Sequence, residues 1–216
     1  MYYPYVPQQV YRQPERRRMT VTGEGSVSAQ PDTVSIQLGV RTESESVLQA
    51  EQENASVMNQ VIDALIGTGI PRENIKTASF TISPLYDFVE GEQVFRGYQV
   101  INSITVELND VSKAGLVIDT AVQNGVNQVS SLQFSLQNPE IYYNDALDKA
   151  LKNAISKATS IAQSLQVNLD PTPVKITEQV AELQPRFQTF AALESTTPIE
   201  PGQLKIRATV KAIFQY

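Results

Sequence analysis

The chain has 216 residues, 41% of them apolar, and a formal charge of -6, so it can bury a substantial core as one large domain or two small interlocked ones. The acidic balance argues against a broad electrostatic footprint for nucleic acid. Cys, His and Trp are all absent, which excludes a cysteine nucleophile, a Ser-His-Asp triad, a structural zinc site and a histidine facial triad within one chain.

Residues 1 to 18 are rich in Tyr, Pro, Gln and Arg. Such a stretch cannot bury enough apolar surface to offset its ordering entropy, so it reads as a mobile tail, with an adhesive segment that meets a surface-layer partner as the alternative. It lacks the apolar run of a secretory signal, and no stretch of the chain approaches the roughly 20 apolar residues of a membrane span. The location expected from this is cytoplasmic, with a peripheral cell or spore layer as the alternative.

Met19 to Thr22 predicts a short strand, and Gly23 to Pro31 a connection to the next one. Gly23-Glu24-Gly25 is not a phosphate loop, because such a loop must open a helix and here another strand follows. The two glycines read as a turn or bulge with unusual backbone angles. From Asp32 to Glu43 the alternation is clean, with Val34, Ile36, Leu38, Val40 and Thr42 on one face. Ser44 to Ile66 has helical spacing through Val47, Ala50, Asn54, Val57, Val61 and Leu65. Gly67, Gly69 and Pro71 end that helix.

Lys76 to Leu85 alternates with Ala78, Phe80 and Ile82 facing inward, and Gly91 marks a turn. Val94 to Leu108 is a long strand with Tyr98, Val100, Ile104, Val106 and Leu108 on one face, interrupted by Asn102. A buried amide needs partners, so Asn102 is either a core hydrogen-bonder or a site residue. Asp110 can cap a helix from Val111 to Asn124, and Gln128 to Gln137 is the next strand. The order over residues 32 to 137 is β-α-β-β-α-β, the ferredoxin-like arrangement.

Asn138-Pro139 launches the longest helix, residues 140 to 166, along which Ala146, Ala150, Ala154, Ala158 and Ala162 recur every four residues. A stripe of small residues lets a helix lie close against a neighbour. Pro171 to Val180 and Leu204 to Tyr216 are the last strands, and Ala181 to Gly202 between them is a long polar loop suited to interaction. The fold class is therefore α+β. Residues 32–137 form a ferredoxin-like part, interlocked with a second α+β part made of residues 19–31 and 138–216.

Chemistry is sparse. Glu90 and Glu92 flank Gly91 and read as solvated turn residues, since oxygen-ligand metal sites need several convergent donors. No Ser-x-x-Lys or Gly-x-Ser-x-Gly occurs. Lys205, Arg207 and Lys211 form a basic stripe that reads as protection of an exposed strand against edge pairing, with anion binding as the alternative. No catalytic residue, metal or cofactor is expected. The candidate ligand or anion contacts are Tyr98, Asn102, Lys205 and Arg207.

The chain resembles the SIMPL-domain family of bacterial proteins over about residues 19 to 216. The resemblance is carried by VTGEGSVSAQPDTVSIQLGV, by Ala50 and Asn54, and by Gly69-Ile70 with Asn74-Ile75 and Thr77. It continues through Pro84 and Tyr86, GYQVINSITVEL, NPEIYYNDALDKALKNAISKA and TPIEPGQLKIRATVKAIF. It implies two interlocked α+β parts and large ring-like homo-oligomers in some members. It also implies links to oxidative-stress protection and to immunogenic surface proteins, with no agreed catalytic residue set. The function expected is a non-enzymatic self-assembling protein. The alternative is a small-ligand or anion binder with weak activity.

Overall fold

Period-two alternation sends every second side chain to one side of a strand, and in the computed structural model, which describes residues 17–179 and 197–216, Val34, Ile36, Leu38 and Val40 of the alternating segment are all buried. The elements in chain order are β1 (Arg18–Ala29), β2 (Thr33–Ser44), α1 (Val47–Gly67), β3 (Ile75–Val89), β4 (Glu92–Leu108), α2 (Ala114–Gln123), β5 (Gln128–Ser135), α3 (Pro139–Ser164), β6 (Lys175–Gln179) and β7 (Leu204–Gln215). This is an α+β fold. The expected tail lies outside the described residues up to residue 16, and the expected loop does so from residue 181 to residue 196.

Two compact units share the chain: Ser28–Ile141 with Gln184–Lys205, and Met1–Val27 with Tyr142–Leu183 and Ile206–Tyr216. In the first, the element order β-α-β-β-α-β builds a four-stranded sheet in the order β3-β4-β2-β5, each neighbouring pair antiparallel. Met58, Val61 and Leu65 of α1 and Val117, Ile118 and Ala121 of α2 close one core with Ile36, Leu38, Ile104 and Val106. Burying each large aliphatic side chain stabilises the unit by about 1.5–3 kcal/mol. Gly69 turns the chain out of α1 at φ +93°. Asp110 accepts a hydrogen bond from the Ser112 backbone N–H at 3.0 Å, starting the short 3-10 turn that leads into α2.

Ala78, Phe80 and Ile82 are not buried as expected. All three are exposed, Phe80 by 51% and Ile82 by 42%. β3 is an edge strand that pairs only with β4, and its register shifts between Thr77 and Ser79. Beyond that bulge Phe80 pairs with Asn102 and Ile82 with Val100, on the face of Val40 and Thr42, so both share the core face by register and are exposed because they stand on the edge strand, at its margin.

The second unit holds a three-stranded sheet in the order β1-β7-β6. Ile206, Ala208, Val210, Ala212 and Phe214 of β7 are buried, as are Ala146, Ala150, Ala154, Ala158 and Ala162 of α3. Gly23 and Gly25 are not a turn or bulge between strands. They lie within β1, and neither has a positive φ. Their role is clearance: a Cβ added at Gly23 would stand 2.1 Å from the Ala150 carbonyl oxygen, and one at Gly25 would stand 2.0 Å from that of Ala146. The glycines of β1 and the alanines of α3 thus fit each other, and the close approach needs both.

That approach brings three α3 side chains onto the β1 backbone. Lys157 Nζ donates to the Thr22 carbonyl at 2.8 Å, the Glu24 N–H donates to Asn153 Oδ1 at 3.1 Å, and Lys149 Nζ donates to the Ser26 carbonyl at 3.4 Å. Residues 22, 24 and 26 point their backbone groups to the same side of the strand, and β1 is an edge strand. Positions 149, 153 and 157 therefore satisfy an edge that would otherwise recruit another strand.

Candidate functional site

β2 pairs with β4 only as far as Ser44 opposite Tyr98. Beyond that point β3 and β4 continue as a two-stranded ribbon, from Leu85 opposite Gly97 to Val89 opposite Glu92. Glu90 (φ +54°) and Gly91 (φ +92°) close it with two left-handed residues, the geometry whose twist matches paired strands. Tyr86 and Phe95 are directly opposite, with ring centroids 5.9 Å apart and edge to face. Phe95 and Tyr98 stack the same way at 5.2 Å. Phe88 near the tip is 72% exposed, and Tyr86, Val89, Val94 and Phe95 are each about half exposed.

An ionic clasp holds the ribbon at its base. Glu43 of β2 accepts hydrogen bonds from Arg41, Arg96 and Gln99, and Arg96 also pairs with Asp87 at 3.6 Å. The hydrogen bond from Arg41, followed by that from Gln99, holds the Glu43 carboxyl below the usual glutamate range. Gly97 crosses at φ +148°, where a Cβ would meet the Ser44 carbonyl oxygen at 2.7 Å. Under this crossing lies an open pocket of about 310 Å³ lined by Glu43, Ser44, Glu45, Leu85, Arg96, Gly97 and Tyr98. Its one cation, Arg96, is already paired, so the pocket offers no spare positive charge to an anion.

Of the residues singled out in the sequence, Tyr98 lines this pocket and Asn102 does not. Asn102 is half-buried on β4, opposite Val40 and Phe80. The buried bridging amide is Asn54 of α1 instead. Its Nδ2 donates to the Val40 carbonyl at 2.8 Å and the Val100 carbonyl at 3.3 Å, while its Oδ1 has no partner. Thr42 Oγ1 donates to the Ala50 carbonyl at 2.7 Å beside it. An Asn in the middle of an apolar helical stripe was the available signal, and helical spacing alone passes over it.

Lys205 and Arg207 are exposed on β7. The edge-protection reading of their stripe does not hold, because β7 is the central strand of its sheet. Glu90 and Glu92 are exposed at the ribbon tip, and among the described residues no three acidic groups converge as a metal would require. Among the same residues no helix is long and apolar enough to cross a membrane.

Comparison with known proteins gives the chain relatives along almost its whole length. The model of the SIMPL family, described as a protein of unknown function (DUF541), matches residues 19–214. The chain is 30% identical over 211 residues to the 26 kDa periplasmic immunogenic protein of Brucella melitensis, covering 92% of this chain and 84% of that protein. It is 26% identical over 200 residues to the uncharacterized protein YggE of Edwardsiella ictaluri, with coverages of 91% and 83%. For YggE of Escherichia coli K12 the figures are 25% over 198 residues, 92% and 80%. The chain belongs to the SIMPL family. The cytoplasmic location expected from the first 18 residues is overturned by the Brucella relatives, which are named periplasmic proteins. Similarity across nine-tenths of the chain outweighs the composition of a short terminal stretch.

Proposed function

We propose that this SIMPL-family chain is a non-enzymatic, self-assembling protein that works in the periplasm, built on a ferredoxin-like unit whose β3–β4 ribbon is the assembly element. The ribbon carries the reading. A two-stranded ribbon is at best marginally stable alone in water, yet this one displays Tyr86, Phe88, Val89, Val94 and Phe95 to solvent. By register Tyr86, Phe88 and Phe95 share one face of the ribbon, and an exposed aromatic face of this kind marks a contact site. The occupant that fits is another protein surface rather than a bilayer, because Asp87, Glu90 and Glu92 give the ribbon an acidic end that anionic headgroups repel. The periplasmic location is supported by the names of the Brucella relatives.

Sedimentation velocity on the wild-type chain and on a Phe88→Ser, Phe95→Ser double variant tests this. The wild type is expected to sediment as an oligomer, and the variant, with its ribbon made polar, as a smaller species. A wild type that stays monomeric at high concentration would refute the proposal.

A further inference from the structure

Charge is unevenly divided between the two units. Among the described residues, the unit containing β1, α3, β6 and most of β7 has eight Lys and Arg against five Asp and Glu, a net of +3. The unit containing the ribbon has six against fifteen, a net of -9.

On the three-stranded sheet the positive charge collects on one face. The even-numbered residues of β7 are buried, so Arg207, Thr209 and Lys211 look the other way, and all but the half-buried Thr209 are exposed. The register of β6 adds Lys175, opposite Ile213, and Thr177, opposite Lys211, to that face. Alternation on β1, whose Val21 and Gly23 are buried, places Arg18, Thr20 and Thr22 there as well. Glu24 is the acid on that side of β1. Arg18, Lys175, Arg207 and Lys211 are exposed, and none forms an ion pair with another described residue.

The ribbon tip has the opposite character. Glu90 and Glu92 are exposed and likewise form no ion pair with a described residue, next to the exposed Phe88 ring. A guanidinium or ammonium group pairs with carboxylates and also sits over aromatic faces. A Thr, Lys and Arg surface therefore suits an acidic-tipped aromatic ribbon, while two like-charged tips repel each other.

From this complementarity, and resting on the self-assembly reading above, we infer that the partner of the ribbon is the basic open face of the three-stranded sheet in a second copy of this chain. Each copy offers one ribbon and one face, so the contact closes as a reciprocal pair, closes as a larger ring or runs on as an open array. It is also screened by salt, since the Debye length falls from about 8 Å at physiological ionic strength to about 3 Å at 1 M.

The test is charge reversal with complementation, read as solution mass by light scattering after size exclusion. A ribbon variant (Glu90→Lys, Glu92→Lys) and a face variant (Arg207→Glu, Lys211→Glu) are each expected to fall to the monomer mass. Mixed in equal amounts they are expected to regain the wild-type mass, because each reversed ribbon then meets a reversed face and each native ribbon a native face. Recovery on mixing also excludes misfolding as the cause of the loss. The inference is overturned if the mixture stays monomeric, or if the face variant keeps the wild-type mass, which would indicate ribbon-to-ribbon pairing. In those cases self-assembly itself stands. A wild type that is already monomeric overturns both.

Discussion

Replacing Gly23 by Ala sets two physical effects against each other. A strand glycine without a positive φ is ordinarily improved by Ala, by about 0.5–1 kcal/mol, because the unfolded chain loses freedom. At Gly23 the new methyl would sit 2.1 Å from the Ala150 carbonyl oxygen and 2.8 Å from the Ala154 Cβ and backbone nitrogen. The obstruction is helix backbone and cannot rotate aside, so α3 must lift by about 1 Å, which forfeits a quarter to a half of each dispersion contact along the alanine stripe. Overpacking of this kind costs about 1–3 kcal/mol. The bonds from Lys157 and Asn153 to the β1 edge stretch with the shift, each worth about 0.5–1.5 kcal/mol at most. The net loss is about 2–4 kcal/mol, a large share of the roughly 5–15 kcal/mol that holds a typical domain. Urea unfolding followed by far-ultraviolet circular dichroism measures it, with Gly67→Ala as control, since a Cβ there meets nothing within 4 Å. Gly23→Ala should move the midpoint down and Gly67→Ala slightly up. If both move up by similar amounts, the close packing of β1 on α3 is refuted.

Other predictions follow from buried and charged groups. Asn54→Ala should cost about 1–3 kcal/mol, the penalty for removing a buried hydrogen-bonding partner, and Asn54→Asp should cost more at neutral pH. Burial raises the carboxyl of that Asp above its unfolded value, so the Asp variant should recover on acidification and weaken as pH rises through about 4, in pH-dependent urea titrations. The Glu43 carboxyl has the opposite sign: its folded value is lowered by the bond from Arg41. Its contribution is present above the unfolded value and lost as pH falls through the folded one. Protection of the amides of residues 95–98, taken relative to their intrinsic exchange rates, should therefore fall in acid below about pH 4, and Glu43→Gln should flatten that dependence. Replacing Lys149, Asn153 and Lys157 together by Ala should unseal β1 and give time-dependent turbidity at temperatures where the wild type stays clear.

The fold was most legible where one physical signal acted alone. β2 and β7 are interior strands of their sheets, each with one buried face, so their alternation reads directly from Val34 to Val40 and from Leu204 to Phe214. The five alanines of α3 announced a close contact correctly. Misreadings arose where one residue type serves two purposes. Glycine marks both turns and close approach, and at Gly23 and Gly25 the approach decides, which only the position of α3 reveals. Phe80 and Ile82 share the core face by register, but they stand on an edge strand and stay exposed, and alternation alone does not tell an edge strand from a central one. The ribbon was invisible because nothing in the sequence says that β2 ends its pairing at Ser44 while β3 and β4 run on. Asn102 was chosen as the polar break in a strand, whereas the bridging amide came from Asn54 on the helix across from it.

The central claim is that this chain assembles with itself through the exposed ribbon, and its most direct test is the absolute mass in solution. Multi-angle light scattering on the wild-type chain, over a wide concentration range and at low and high salt, should give a mass at least twice that of the 23.9 kDa chain, falling as salt rises. A mass that stays at one chain under every condition would contradict the account.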